Sequence, residues 1–404
     1  MKKTLLAIIL LIVAFLNLNA QPAPYVILVS FDGFRWDYVN RGITPNLDMM
    51  QENGAWALSL QPSFPSKTFP NHLAIITGMY PEHHGVIFNE FRDPFTCEIY
   101  AIGDTSEVRD SKWYLGEAFW ETAERQGITT ASYFWPGSEL PDRYRHPTLH
   151  EAYEHERPYP QRVEGVLSWL QLPQNERPHF ITLYFHDTDT FGHRFGPHSP
   201  EINESIQRLD GMIGLLYEGL DKIGMRDSVN VIVVSDHGMT EISIDRLIDI
   251  PALLKNYKCE YGGSAPVLMV DAAKDKEEEV FNILKQNENH YKVYYRKDVP
   301  EYFHFSDNPY IYDIVLIAET GWSLLGGEEY DHDKMKRIHG DHGFDNHQTD
   351  MHGIFIASGP SFKKNYSTGT LWNVDIYPLL CKIFNIFPSA NIDGKLERIG
   401  FLLK

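Results

Sequence analysis

Tyr25-Val26-Ile27-Leu28-Val29, followed at once by Ser30-Phe31-Asp32-Gly33, is the stretch that decides the fold. Five consecutive large apolar side chains make a strand buried on both faces, and the acid and glycine after it mark the end of that strand at a polar turn. Four more runs share this character: Thr129–Phe134, Phe180–Phe185, Val229–Val234 and Gly353–Ala357. Amphipathic stretches that read as helices lie between or after them, at Trp113–Gln126, Gln161–Leu170, Ser199–Leu220 and Asn373–Phe384. Alternation of this kind predicts an α/β fold with a mostly parallel central sheet and helices on both faces. Ligands in such folds sit beyond the carboxyl ends of the strands. Asp32, Asp189, Asp236 and His237 all follow predicted strands by two to four residues.

The 404-residue chain, 43% hydrophobic, is long enough for one large α/β domain or two smaller ones. Lys2 and Lys3 precede an apolar run from Leu5 to Leu16, and Leu18-Asn19-Ala20 offers small residues for cleavage. The run is too short and wrongly flanked for a spanning helix, so residues 1–20 read as an export signal. No cysteine at the cleavage point speaks for a lipid, so no stable membrane anchor is expected, and an exported, periplasmic or secreted domain is expected from residue 21 onward. Cys97, Cys259 and Cys381 are too few and too far apart for a disulfide framework or a thiolate metal cluster. A formal net charge of −19 makes nucleic acid a poor partner, while a small anionic substrate beside bound cations is still admitted. The stretch from about 250 to 330 differs in texture, with a charge run at Lys274–Glu279 and β-prone segments at Tyr291–Tyr295 and Ile311–Ile317, and reads as a small α+β insertion.

The candidate chemistry lies in short polar segments. In Ser66-Lys67-Thr68-Phe69-Pro70-Asn71-His72, the proline before the apolar run Leu73–Ile76 suits a helix start. Thr68 would then stand at the positive end of a helix, as a nucleophile or as an ordinary cap. Asp189 and His193, with Gly192 between, read as a pair gripping one cation from a tight loop. Asp236 and His237 are adjacent, so both can serve one site only if the backbone turns there, which Gly238 would ease. Imidazole and carboxylate without thiolate suit zinc first, then manganese or iron. His72, His83, His84, His332, His339, His347 and His352 read as supporting or merely structural.

Taken together, Thr68-Phe69-Pro70-Asn71-His72, His84-Gly85-Val86-Ile87-Phe88-Asn89, Trp135-Pro136-Gly137-Ser138, Ser235-Asp236-His237-Gly238-Met239 and His342-Gly343-Phe344-Asp345-Asn346 are specific. The chain resembles the nucleotide pyrophosphatase/phosphodiesterase family of the alkaline phosphatase superfamily, from about Tyr25 to about Leu402. The resemblance implies an alkaline phosphatase-like fold and two divalent metal ions, zinc being expected. It implies one metal held by Asp189, His193 and His342, and a second held by Asp32, Asp236 and His237 with the Thr68 oxygen. It further implies Thr68 as nucleophile, Asn89 as a donor to a phosphoryl oxygen, and Phe69 and Tyr153 as aromatics that sandwich a flat group. The implied substrate is a small nucleotide diester or pyrophosphate. Glu90 and Leu115 stand where triphosphate-preferring animal members carry basic residues, which disfavours a polyphosphate tail. A phospholipid or choline phosphodiester on the same scaffold is the alternative.

Overall fold

The computed structural model describes residues 23–326 and 337–404. The expected leader at residues 1–20, the tail of the insertion and His332 lie outside these. Eight strands form the central sheet: β1 (Tyr25–Phe31), β2 (Gly54–Ala57), β3 (Thr130–Tyr133), β4 (Leu149–Glu151), β5 (Phe180–Phe185), β6 (Val229–Val234), β7 (Phe355–Ser358) and β8 (Tyr366–Thr368). Their spatial order is β8-β2-β7-β6-β1-β5-β3-β4. β1 pairs in parallel with both β5 and β6, while β7 runs antiparallel to β6 and β2. The reversal of β7 matters for function. It brings the segment before that strand, rather than the one after it, to the edge where β1, β5 and β6 end.

Side-chain alternation along the strands divides the interior into two layers. Ile27, Val29, Phe31, Ile181, Leu183, Val231 and Val233 face one side, covered by helices Pro45–Asn53, Tyr159–Trp169 and Pro200–Lys222. Val26, Leu28, Phe180, Ile232 and Val234 face the other, covered by helices Thr68–Thr77, Phe119–Arg125 and Ile376–Phe384. Helices Phe119–Arg125, Tyr159–Trp169, Pro200–Lys222 and Ile376–Phe384 fall on the four amphipathic stretches, and Thr68–Thr77 on the expected helix start, whereas Pro45–Asn53 was not anticipated. The segment expected as helix from Trp113 starts only at Phe119; a short 3-10 turn at Ser111–Trp113 precedes it.

The insertion is an antiparallel four-stranded sheet, in spatial order Cys259–Ser264, Val267–Ala272, Ile314–Ala318 and Tyr291–Tyr295. The charge run opens the helix Glu277–Gln286, whose first turn carries Glu277, Glu278 and Glu279 at the positive end of the dipole. One face of this sheet, with Val280 and Leu284 of that helix against it, forms its own cluster. The other face sends Val267, Met269, Val315 and Ile317 into the main core. The three cysteines stand unpaired. No helix among the described residues is long and apolar enough to cross a membrane.

Candidate active site

Thr68 is the first residue of helix Thr68–Thr77, and Lys67 is its cap residue. Thr68 therefore makes no capping bond. Its Oγ1 instead lies 3.3 Å from His237 Nε2. Around that point converge the ends of three strands and the segment before β7, and the polar side chains fall into two adjoining clusters. Asp189 Oδ1 lies 3.3 Å from His193 Nε2 and 3.5 Å from His342 Nε2, and the two imidazole nitrogens are 3.1 Å apart. His237 Nε2 lies 3.3 Å from Asp32 Oδ1 and 3.1 Å from Asp236 Oδ2. The rings of His237 and His342 stack at 3.5 Å, so the clusters share a wall. Asp189, His237 and His342 also come close enough to offer one ligand atom each to a single ion. All six residues, with Thr68, thus meet at one site.

The orientation of each donor is fixed from behind. His193, His237 and His342 donate Nδ1–H to the carbonyls of Gly340, Gly238 and Ser66 at 2.8, 2.8 and 2.7 Å. That selects the tautomer whose Nε2 lone pair faces the site, as metal-binding imidazoles require. One oxygen of Asp32 accepts from the Tyr184 hydroxyl at 2.6 Å, and one of Asp236 accepts from Gly33 N–H at 3.2 Å. Their other oxygens, with Asp189 Oδ1, are buried without a hydrogen-bond partner among the described residues. Orphaned buried carboxylate oxygens are costly unless something cationic completes them. The donor set of carboxylate oxygens and imidazole nitrogens therefore fits divalent metal ions.

Without a cation the cluster is electrostatically strained. Burial first, then repulsion from Asp236 and Asp189, raises the Asp32 carboxyl well above its ordinary range. Burial and Asp189 do the same to Asp236. Burial lowers His237 to about 3 and drives His342 well below its usual value. Burial also acts downward on His193, but the Asp189 carboxylate outweighs it and brings that imidazole to about 9.

Two local readings need correction. Asp189 and His193 do not sit in a tight loop; they lie one turn apart on helix Asp187–Phe195, which presents both to the same side. Gly192 packs closely there against the Met239 side chain, whose Cε would lie 2.9 Å from an added Cβ. Gly238 serves by close approach rather than by turning freely, since a Cβ would fall 2.1 Å from the Asp350 carbonyl oxygen. Tyr184 escaped the sequence reading, and the supporting role open to His72 gains its partners here. Tyr184 holds Asp32, and His72 donates Nδ1–H to the Thr68 carbonyl at 2.9 Å while its Nε2 meets Ser30 Oγ at 2.8 Å. Tyr184 lies on a strand read correctly from its apolar run, and its hydroxyl was the unused signal.

Beside the clusters opens a cavity of about 320 Å³, in the range of small-molecule sites. Thr68, Asp32 and Asp189 form its floor; Phe69, Phe134, Trp135 and Tyr153 line it. Phe69 N–H donates to Asn89 Oδ1 at 3.1 Å, which places the Asn89 side chain beside the start of the Thr68 helix. Tyr153 is half exposed, and its hydroxyl meets His155 Nδ1 at 2.9 Å.

A doubly covered sheet whose strand ends carry these clusters next to a helix-start threonine has an alkaline phosphatase-like fold. The family model of type I phosphodiesterase / nucleotide pyrophosphatase matches residues 26–345. The chain belongs to this family. It is 34% identical over 392 residues to human ectonucleotide pyrophosphatase/phosphodiesterase family member 1, covering 94% of this chain and 42% of that one. The chain thus spans less than half the length of that curated relative. It superposes on human ectonucleotide pyrophosphatase/phosphodiesterase 5 with a TM-score of 0.88 at 33% identity, covering 94% of this chain and all of that one. The murine counterpart, an inactive threonine-to-alanine variant in complex with AMP, gives 0.87 at 30% identity, with 94% and 100% covered.

Proposed function

We propose that the chain is an exported, metal-dependent phosphodiesterase that cleaves nucleotide phosphodiester or pyrophosphate bonds through a phosphothreonine at Thr68. The observation that carries the reading is the position of the Thr68 hydroxyl, beside buried carboxylate oxygens that lack partners and imidazole nitrogens held facing them. Asp189, His193 and His342 would hold one divalent ion, and Asp32, Asp236, His237 and the Thr68 oxygen a second, zinc suiting this donor set. Such ions supply Lewis acidity toward phosphoryl oxygens and lower the pKa of a nearby hydroxyl.

The chain's own groups do the rest. Thr68 Oγ attacks phosphorus in line; the new Oγ–P bond forms as the bond to the leaving oxygen breaks, and the hydroxyl proton leaves with solvent or the departing group. The helix start places positive dipole under the anionic phosphoryl group. With its carbonyl oxygen taken by Phe69 N–H, Asn89 has its amide NH₂ left to donate to a non-bridging oxygen. Water then displaces Thr68 from the opposite side. Phe69 and Tyr153, which line the cavity, would grip the base; a nucleotide as the ligand is supported by the AMP complex of the murine relative. The inactivity of its threonine-to-alanine variant is in keeping with an essential threonine in this family.

A choline or phospholipid diester is the second reading, favoured by the apolar Ile102 and Val108 on the cavity rim. A hydrolysis panel tests both, using nitrophenyl esters of thymidine monophosphate, of phosphorylcholine and of phosphate, before and after chelation, with Thr68→Ala as control. Chelator-sensitive preference for the nucleotide ester, lost in Thr68→Ala, is the expected result. Preference for the choline ester moves the assignment to lipids, and no turnover on any ester overturns it.

A further inference from the structure

The lysine immediately before the nucleophile is buried, and its ammonium does not face the cavity. Lys67 is 5% exposed, and its Nζ donates to the Ala265 carbonyl at 2.8 Å and to Asp341 Oδ1 at 3.3 Å. The same Asp341 oxygen accepts the His342 backbone N–H at 2.8 Å. One residue back, Ser66 O accepts from His342 Nδ1, and Ser66 Oγ accepts from Gly343 N–H at 3.0 Å. The segment that leads into Thr68 is thus stitched to the segment that carries His342. Ala265 adds a third party, because it lies in the turn between Cys259–Ser264 and Val267–Ala272 of the insertion. Gly343, at φ +107°, leaves the room for this junction: a Cβ there would stand 2.5 Å from Lys67 Cε and 2.9 Å from Pro266 Cδ.

From these contacts we infer that Lys67 is a positioning residue and that the insertion is part of the catalytic unit. Resting on the phosphodiesterase reading above, the inference gives the insertion a role beyond covering the core. A buried ammonium with one carboxylate and one carbonyl partner is a point charge that fixes distances among three chain segments. It holds the first turn of the Thr68 helix at a set distance from His342, which belongs to the cluster with Asp189 and His193. In-line attack is sensitive to such distances: a shift of about 1 Å can cost on the order of 100-fold in rate.

The test combines Lys67→Met, Lys67→Arg, Asp341→Asn and the double variant Lys67→Met/Asp341→Asn in the full chain, with metal content and thermal unfolding measured for each. Lys67→Met is expected to lower kcat about 10- to 100-fold with KM for the nitrophenyl nucleotide ester nearly unchanged. Lys67→Arg restores part of the rate, and the double variant loses less than the two single effects multiplied together. Hydrogen–deuterium exchange of the peptide spanning 66–72 is read in parallel and is expected to speed up in Lys67→Met. Unchanged kcat together with unchanged exchange overturns the proposal, as does a rate loss wholly matched by metal loss or unfolding. If the wild-type chain hydrolyses no ester, the parent reading fails, and the exchange data still decide whether Lys67 clamps the helix start.

Discussion

Replacing Tyr184 by Phe removes one hydroxyl and leaves the ring, so it isolates a single hydrogen bond at the core of the site. The ring contacts with His72 at 5.3 Å and with Tyr153 at 6.2 Å survive the change. What is lost is the 2.6 Å bond to Asp32 Oδ2, made where Tyr184 is 9% and Asp32 2% exposed. Burial and the neighbouring carboxylates push Asp32 toward its protonated form in the metal-free chain. The charged form that profits from the bond is therefore populated chiefly when a cation is held. A hydrogen bond to a charged group contributes about 1.5–3 kcal/mol, or roughly 10- to 150-fold in an equilibrium constant. That agrees with the ~10- to 100-fold usual for partners that orient metal ligands. Zinc competition with a chromophoric chelator, at one fixed pH, reads the change directly. Affinity within about twofold of wild type, in a normally folded variant, refutes the argument that Tyr184 readies Asp32 for a cation.

Other outcomes follow from neighbouring residues. Gly33→Ala forces an L side chain to φ +66°, with its Cβ 2.8 Å from Asp189 Cα; strain of about 1–2 kcal/mol plus displacement of Asp189 should weaken metal retention, as measured by metal content after dialysis. Phe69→Ala should raise KM for a nucleotide ester about 5- to 150-fold while kcat changes little, since stacking on a base contributes about 1–3 kcal/mol; steady-state kinetics check this. His84 is buried and held near a pKa of about 3, with Nε2–H donating to Pro70 O and Nδ1 accepting Val86 N–H. Because the folded value lies below the 6.5 of a free imidazole, the stabilisation it lends is complete above pH 6.5 and drains away as pH falls toward 3. Denaturant unfolding between pH 7 and 4 should accordingly show a flatter pH dependence in His84→Gln, by up to about 1.4 kcal/mol per pH unit.

The sheet was legible because its strands are buried on both faces and read as plain apolar runs. The direction of β7 was not, since Gly353–Ala357 has the same texture as its parallel neighbours and only the path through the insertion reverses it. The candidate ligands stood out because each lies in a short polar segment, Asp32 and Asp236-His237 directly after apolar runs. The helical setting of Asp189 and His193 was hidden by Gly192, a residue that reads as a loop signal but here lies within a helix, packed against the Met239 side chain. The partners of Lys67, His72 and Tyr184 went unread for one physical reason. Each residue acts through at least one partner 42 to 274 positions away in the chain, a relation that local pattern does not encode.

The central claim is that Thr68, rather than water, makes the first bond to phosphorus. The stereochemical course of hydrolysis of a phosphodiester carrying chiral, sulfur-substituted phosphorus tests it most directly. Two successive in-line displacements predict net retention of configuration; net inversion, the mark of a single direct attack by water, would contradict the account.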